Sequence, residues 1–260
     1  MPKISGHAPG TFCWVELATT DQAGAKSFYS SLFGWTPADF PMGPSQYYTM
    51  FKLNGDDAAA AYTIPPEQRP EDTPHWNLYV AVNSADDSAK RASELGGKIV
   101  APPFDVMTAG RMAVIQDPTG AVFNVWQSND HQGTTVAGES GTFCWADLST
   151  GDPAVAKQFY EGLFGWKIAA AEKYPPDYLV IQNREQLIAG MTPVAYRNPN
   201  VPPHWMLFFL AGDVDGSAAK AKELGGTQLV PPVSAGSARM SVLADPQGAA
   251  FSIIRPPAQS

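Results

Sequence analysis

The sequence predicts an α+β protein of two tandem modules, each made of paired strand–helix–strand–strand–strand (βαβββ) units. Three observations carry this. First, Gly10-Thr11-Phe12-Cys13-Trp14 recurs 131 positions later as Gly141-Thr142-Phe143-Cys144-Trp145. The copies stay in phase through Ala25-Lys26-Ser27-Phe28-Tyr29 and Ala156-Lys157-Gln158-Phe159-Tyr160, and again at Leu32-Phe33-Gly34-Trp35 and Leu163-Phe164-Gly165-Trp166. A repeat of this length is a duplicated domain; solenoid units run to roughly 20–50 residues. Second, within each half a strand, an amphipathic helix and several strands follow one another twice, beginning near Thr11 and again near Trp76. Third, turn signals with a stated geometry separate these segments.

Taken in order, residues 11–17 alternate as a strand, with Cys13, Val15 and Leu17 on one side and Trp14 and Glu16 on the other. Thr19-Thr20-Asp21 offers capping oxygens to a helix whose Ala25, Phe28, Tyr29 and Leu32 form one apolar stripe, and Gly34 stops it. Residues 37–44 read as a loop. Residues 46–53 and 58–64 read as strands around the hairpin turn Asn54-Gly55-Asp56. A proline-rich connection, residues 65–74, leads to a strand over 76–82. Ser84-Ala85-Asp86-Asp87 then opens a second helix that ends at Gly96-Gly97. A short strand over 99–102 and a loop over 103–110 precede strands 111–116 and 121–127, joined by the turn Asp117-Pro118-Thr119-Gly120.

Residues 128–140 are polar and aperiodic and read as a linker, which makes 8–127 the first module and 141–256 the second. The second half repeats Pro74-His75-Trp76 as Pro203-His204-Trp205, Arg111-Met112 as Arg239-Met240, and the Asp-Pro-x-Gly turn at Asp245-Pro246-Gln247-Gly248. The offset slips from 131 to 128 along the way, which places short deletions in loops.

Composition narrows the function. The chain has 260 residues, 44% of them hydrophobic, and a net charge of −8 with no run of Lys or Arg. Such a surface repels phosphate backbones, so nucleic acid is not an expected partner. The two cysteines, Cys13 and Cys144, are too few for a disulfide framework and read as small buried hydrophobes. No apolar signal core opens the sequence and no 18 apolar residues run together. The expectation is a soluble, cytoplasmic protein with no membrane partner. No Gly-rich phosphate loop or Gly-x-Ser-x-Gly elbow is present.

These marks together resemble the vicinal oxygen chelate superfamily, the glyoxalase and bleomycin-resistance group. The carriers are Trp14-Val15-Glu16-Leu17 leading to Thr20-Asp21, then Ala25, Phe28-Tyr29, Phe33-Gly34-Trp35, the Gly-Gly helix stop and the Asp117-Pro118-x-Gly120 turn, all present in duplicate. Within the group the chain is similar to the fused two-module actinobacterial proteins described as glyoxalase-like or as hydroxylases. The resemblance implies curved mixed sheets with helices on the outer face, and troughs that face each other to enclose a small-molecule cavity. Cys13, Val15 and Leu17 would then face the helices, and Trp14 and Glu16 the trough.

Catalytic members of that family hold a divalent metal with His, Gln or Glu. The positions that resemble theirs are Trp14, Asn77 and Asn124 here, and Trp145, Met206 and Ser252 in the second half. Indole has no lone pair for a cation, and thioether and alcohol are poor ligands for a hard or borderline ion. No cofactor is therefore expected. If a divalent metal is present after all, His75, His204, Glu16 and Asp147 are its candidate ligands. His75 and His204 otherwise read as strand-start histidines bonded at the trough edge, and His7 and His131 as solvated.

Glu16 and Asp147 share the trough-facing side with the Trp two residues before each, and are the candidate catalytic bases. A carboxylate on a partly apolar wall needs a donor, and Arg111 and Arg239 are the candidates. Trp14, Tyr79, Trp126, Trp145 and Phe208 supply aromatic walls suited to a small planar ligand. With Asn77, Asn124, Met206, Ser252 and the two arginines they form the predicted binding set. The leading reading is a metal-independent protein that binds a small organic molecule in aromatic-lined cavities. The alternatives are a lyase or hydroxylase-like enzyme (methylglyoxal-type detoxification) with Glu16 or Asp147 as base, and a degenerate scaffold for protein partners. The two modules can complete each other's sheets within one chain, so a monomer is expected, with a homodimer as the alternative.

Overall fold

The computed structural model describes residues 4–44, 46–67, 73–172 and 174–257. The first half runs β1 (Phe12–Thr19), α1 (Gln22–Phe33), β2 (Thr36–Gly43), β3 (Gln46–Leu53), β4 (Asp56–Thr63), β5 (His75–Ala81), α2 (Ala85–Glu94), β6 (Lys98–Val106), β7 (Gly110–Gln116) and β8 (Val122–Ser128). The second half repeats this as β9 (Phe143–Ser149), α3 (Pro153–Phe164), β10 (Lys167–Ala170), β11 (Leu179–Asn183), β12 (Gln186–Met191), β13 (His204–Leu210), α4 (Val214–Glu223), β14 (Thr227–Ala235), β15 (Ala238–Ala244) and β16 (Ala250–Arg255). A 3-10 turn, Val194–Tyr196, precedes β13.

Each half builds one eight-stranded mixed sheet. The first has the order β2-β3-β4-β1-β5-β8-β7-β6, the second β10-β11-β12-β9-β13-β16-β15-β14. In each sheet two βαβββ units join along one antiparallel seam, β1 against β5 and β9 against β13. The predicted turn chemistry holds. Asp21 caps α1 by accepting from the Gly24 amide, and Ser84 caps α2 from the Asp87 amide. Asn54 and Gly55 take φ of 53° and 91°, the left-handed pair that a two-residue hairpin requires.

Two expectations fail at the sheet edges. Residues 37–44, read as a loop, lie within and beside β2; the strand expected over 99–102 runs on to Val106. Both carry prolines, and both are the outermost strands of their sheet. Proline lacks an amide donor, so it survives in a strand only where one side is unpaired, and pairing across one edge supplies the order that the sequence pattern lacks. Irregularities in register at Pro41/Gly43 and at Ala101/Phe104 absorb the mismatch. In the connection expected over 65–74, residues 68–72 lie outside the described residues.

The two sheets do not turn their troughs toward each other. Phe12, Val15 and Leu17 of β1 share one continuous core with Ala146 and Leu148 of β9 and Leu207 and Phe209 of β13. The convex faces meet back to back, and α1 and α3 each bridge both sheets. Phe28 of α1 packs edge-on against Phe251 of β16, with centroids 6.3 Å apart; Phe159 of α3 packs the same way on Phe123 of β8 at 6.2 Å.

The repeated motifs lie along this junction and close it reciprocally. Tyr29 Oη donates to Asp245 at 3.0 Å and accepts from Trp76 Nε1 at 3.1 Å. Tyr160 Oη donates to Asp117 at 2.9 Å and accepts from Trp205 Nε1 at 2.9 Å. Trp35 Nε1 donates to the Gly141 carbonyl, and Trp166 Nε1 to the Gly10 carbonyl. Each aspartate also accepts from amides of its own Asp-Pro-x-Gly turn, so a buried carboxylate is fully partnered while it ties the turn of one half to the helix of the other.

Candidate ligand-binding site

The concave faces line a hollow of about 3370 Å³ that reaches into both troughs. The two parts meet near Gly120 and Pro203, which approach within 3.7 Å of each other when a Cβ is placed on the glycine. Strands from opposite ends of one sheet, β3 through Tyr48 and β6 through Phe104, line the same space, so each sheet curls into a half-open trough.

The floor of each trough is a ladder across three strands. In the first, Trp14 pairs with Tyr79 and Tyr79 with Asn124, while Glu16 pairs with Asn77. In the second, Trp145 pairs with Phe208 and Phe208 with Ser252, while Asp147 pairs with Met206. The alternation of the strands therefore brings together nine of the eleven predicted binding residues and both predicted carboxylates.

Arg111 and Arg239 are the two that it does not bring there. Their neighbours Met112, Val114, Met240 and Val242 line the hollow, and a period of two turns the arginines to the opposite face. Arg111 forms a fork with Asp86 of α2 and reaches Asp105; Arg239 pairs with Asp215 of α4. They clamp helices to the convex side and donate nothing to Glu16 or Asp147.

The donors to the carboxylates are phenols and one indole. Glu16, only 8% exposed, accepts from Tyr48 Oη at 2.7 Å and from Tyr79 Oη at 2.9 Å, one on each oxygen. Trp14 Nε1 in turn donates to Tyr48 Oη at 3.1 Å. Asp147 accepts from Tyr178 Oη at 2.5 Å and from Trp145 Nε1 at 2.9 Å, both on Oδ1. Burial raises both carboxyl groups above their ordinary range, against the pull of these hydrogen bonds, and brings Asp147 to about 6. Tyr48 and Tyr178 were missed by sequence reasoning. They occupy equivalent places, Tyr48 on β3 and Tyr178 just before β11, and their recurrence near the repeat offset was the signal available. Tyr174 stacks on Tyr178 with centroids 5.4 Å apart and extends the aromatic wall to the rim.

The bulges that start β1 and β9 overturn another expectation. Register slips between Phe12 and Trp14, and between Phe143 and Trp145, so Cys13 joins Trp14 on the trough side and leaves the helix-facing side. Cys144 lines the second hollow. Burial raises the Cys13 thiol well above its ordinary range and pushes Cys144 up to about 12, so both are thiols at neutral pH.

The segment read as a linker also does more than connect. Its Thr134 amide donates to the Cys13 carbonyl and its Thr135 amide to the Asp57 carbonyl. His131 packs edge-on against Trp14 with centroids 4.4 Å apart, and its carbonyl accepts from Trp126 Nε1. His7 bonds the Thr134 carbonyl. Neither histidine is a solvated bystander; burial lowers the pKa of both. The segment covers Trp14 and Trp126, which face the first trough without lining the open hollow.

His75 and His204 sit at the rim, where each ring bonds through Nδ1 to a carbonyl two residues back, of Thr73 and of Pro202. A carbonyl only accepts, so Nδ1 carries the proton in the neutral ring. Among the described residues no three His, Cys, Asp or Glu side chains converge as a metal site would need. Each trough floor offers one carboxylate, and the remaining groups at the ladder positions are indole, phenol, amide, thioether, phenyl and alcohol. That donor set does not fit a divalent ion. Among the described residues no helix is long and apolar enough to cross a membrane.

Comparison with known proteins agrees with this architecture. Residues 11–125 match the family described as the Glyoxalase/Bleomycin resistance protein/Dioxygenase superfamily, and residues 145–254 match the Glyoxalase-like domain. A Mycobacterium tuberculosis protein provisionally named glyoxylase CFP32 is 41% identical over 267 residues, covering all of both chains. The anthracycline biosynthesis protein DauV of Streptomyces sp. (strain C5) is 34% identical, over 96% of this chain and 95% of its own. Among solved structures, the Mn(II)-bound glyoxalase from Novosphingobium aromaticivorans has a TM-score of 0.64 at 17% identity, over 95% of this chain and 82% of its own. The 2,3-dioxygenase LapB from Pseudomonas sp. KL28 has a TM-score of 0.64 at 10% identity, over 98% and 95%. At such identities the structural likeness is one of fold.

Proposed function

The chain belongs to the glyoxalase/bleomycin resistance protein/dioxygenase superfamily, and from that premise we propose that it binds a small planar organic molecule in its aromatic-lined troughs without a stoichiometric metal ion. The observation that carries this is the composition of the trough floors. Each holds a single carboxylate, fixed by Tyr and Trp donors, among aromatic and methionine side chains. Apolar walls supply the affinity for a flat ligand, and a few placed polar groups orient it. The relative named for anthracycline biosynthesis supports a fused-ring aromatic as the ligand class.

The test is elemental mass spectrometry on tag-free protein purified without chelator, beside titration with planar aromatics followed by tryptophan fluorescence. Protein that retains no metal after dialysis and still binds supports the reading. About one atom of zinc, nickel, manganese or iron per chain after dialysis overturns it and makes His75, His204, Glu16 and Asp147 the ligands to replace.

A further inference from the structure

The two carboxylates are not equivalent, and the difference selects one trough and one ligand chemistry. Both oxygens of Glu16 are taken by phenols. In the second half the residue that corresponds to Tyr79 is Phe208, which has no hydroxyl to give. Both donors to Asp147 therefore land on Oδ1, and Oδ2 accepts from no described residue. Asp147 lines the hollow. An acidic oxygen without a donor, on a residue that lines the cavity, is an acceptor awaiting a donor.

A second atom on this floor also lacks a partner, as does Asn124 Oδ1 at the equivalent place on the first floor, so it adds a ligand contact and the choice of trough rests on Asp147. Ser252 Oγ lies on the same floor, fully buried, with no hydrogen-bond partner. A hydroxyl left so costs about 1–3 kcal/mol unless something satisfies it. Ser252 stands two strands across from Asp147 and two residues offset, on the ladder Trp145–Phe208–Ser252. Two strand spacings and that offset separate the two backbones by roughly 10–12 Å. The floor between them is Phe208 and Met206, apolar and flat enough for rings.

We infer that the second trough is a binding site for a two-ring or larger planar aromatic that carries an ionisable hydroxyl, donated to Asp147 Oδ2, and a second polar group at the far end, held by Ser252 Oγ. The inference rests on the reading that the troughs bind planar molecules and adds which trough, which atoms and which functional group. The raised Asp147 carboxyl is consistent with this, since a neutral hydroxyl donor relieves the desolvation of the carboxylate. Titratable or charged groups near this floor are Tyr178 just before β11, Tyr174 upstream of it, His204 at the start of β13 and Arg197 at the rim. Of these side chains only Tyr178 donates to Asp147.

The experiment uses a naphthalenediol with one hydroxyl on each ring, and its dimethyl ether, titrated into the full chain at pH 8, where Asp147 is ionised. The diol is expected to bind about tenfold tighter than the ether, the ratio that a hydrogen bond to a charged acceptor supports. Asp147→Asn is expected to remove that preference while the melting transition stays cooperative, and Ser252→Ala to weaken the diol about threefold with little change for the ether. Equal binding of diol and ether overturns the inference and leaves the broader reading standing. Loss of the preference in Glu16→Gln instead of Asp147→Asn also overturns it, by assigning the donor to the first trough. Binding of neither compound overturns both. If Asp147→Asn does not fold, Phe208→Tyr serves in its place. It puts a hydroxyl where Tyr79 has one, and a diol preference that survives this competition for Oδ2 overturns the inference.

Discussion

The first and second troughs have the same strands in the same order and opposite chemical states. In the first, the intervening segment folds back over Trp14 and Trp126, and Glu16, which also lines the hollow, has both oxygens taken by phenols. In the second, the carboxylate is one methylene shorter, one phenol is replaced by Phe208, Trp145 is open to the hollow, and an acidic oxygen is left over. The difference teaches that a duplicated scaffold keeps its fold by keeping the residues on its convex face, and changes its site by changing those on the concave one, here Glu16/Asp147, Asn77/Met206, Tyr79/Phe208, Asn124/Ser252 and Ala60/Gly190. The Asp147 floor shows how tightly such changes are linked. Gly190 pairs with Asp147, and its place in the first sheet is held by Ala60, which pairs with Glu16. A Cβ on Gly190 would lie 1.7 Å from Tyr178 Oη. The shorter acid draws the phenol inward, and only glycine leaves room for it.

The largest effect is expected from breaking that accommodation. Gly190→Ala should expel the Tyr178 ring from Asp147 and destabilise the protein by about 3 kcal/mol, in the range of overpacked and unpartnered buried sites. Ala60→Gly in the first trough should cost only about 1 kcal/mol. Urea unfolding of both variants measures the contrast, and equal effects would deny that the two floors differ in this way.

Next comes the pH dependence of the second floor. The Asp147 carboxyl, near 6 when folded against about 3.9 unfolded, is raised, so the folded state holds its proton more tightly. Its contribution to stability is present below about pH 4 and is lost as pH rises through about 6, with a slope of up to about 1 kcal/mol per pH unit. Subtracting the stability of Asp147→Asn from that of the parent at each pH isolates this slope, because other raised groups, Glu16 and Asp245, are common to both. A flat difference between pH 4 and pH 6 would show that Asp147 is not desolvated.

Tyr79→Phe makes the first floor resemble the second by freeing one Glu16 oxygen. The expected cost is about 1–2 kcal/mol, because a buried carboxylate loses a donor it cannot replace from water. A melting curve identical to the parent would mean that the Glu16 oxygen is already reached by solvent.

The smallest effect is predicted where sequence reasoning placed a large one. Arg111→Ala and Arg239→Ala each remove an exposed, solvent-screened ion pair on the convex side and should leave both the melting temperature and the binding of planar aromatics nearly unchanged. A loss of ligand affinity in either variant would restore the arginines to the site.

The amino-acid sequence by itself determined the duplication, the order of helices and inner strands, the helix caps and hairpin, and the pairing of Trp with carboxylate on one face of β1 and β9. These are local or strictly periodic properties, and a period of two or 3.6 carries them without knowledge of neighbours. The tertiary structure decided the rest. Edge strands β2 and β6 exist because a neighbour pairs them despite their prolines. The bulges that turn Cys13 toward the trough are set by cross-strand register, and the period of two misplaces every residue beyond such a slip. Arg111 and Arg239 found their carboxylates on the helices, nearer than those on the floor. Tyr48 and Tyr178 reach Glu16 and Asp147 only because the sheet curls, bringing groups some thirty positions apart within hydrogen-bond distance. The same curvature gives both Glu16 oxygens a phenol and leaves Asp147 Oδ2 without a donor.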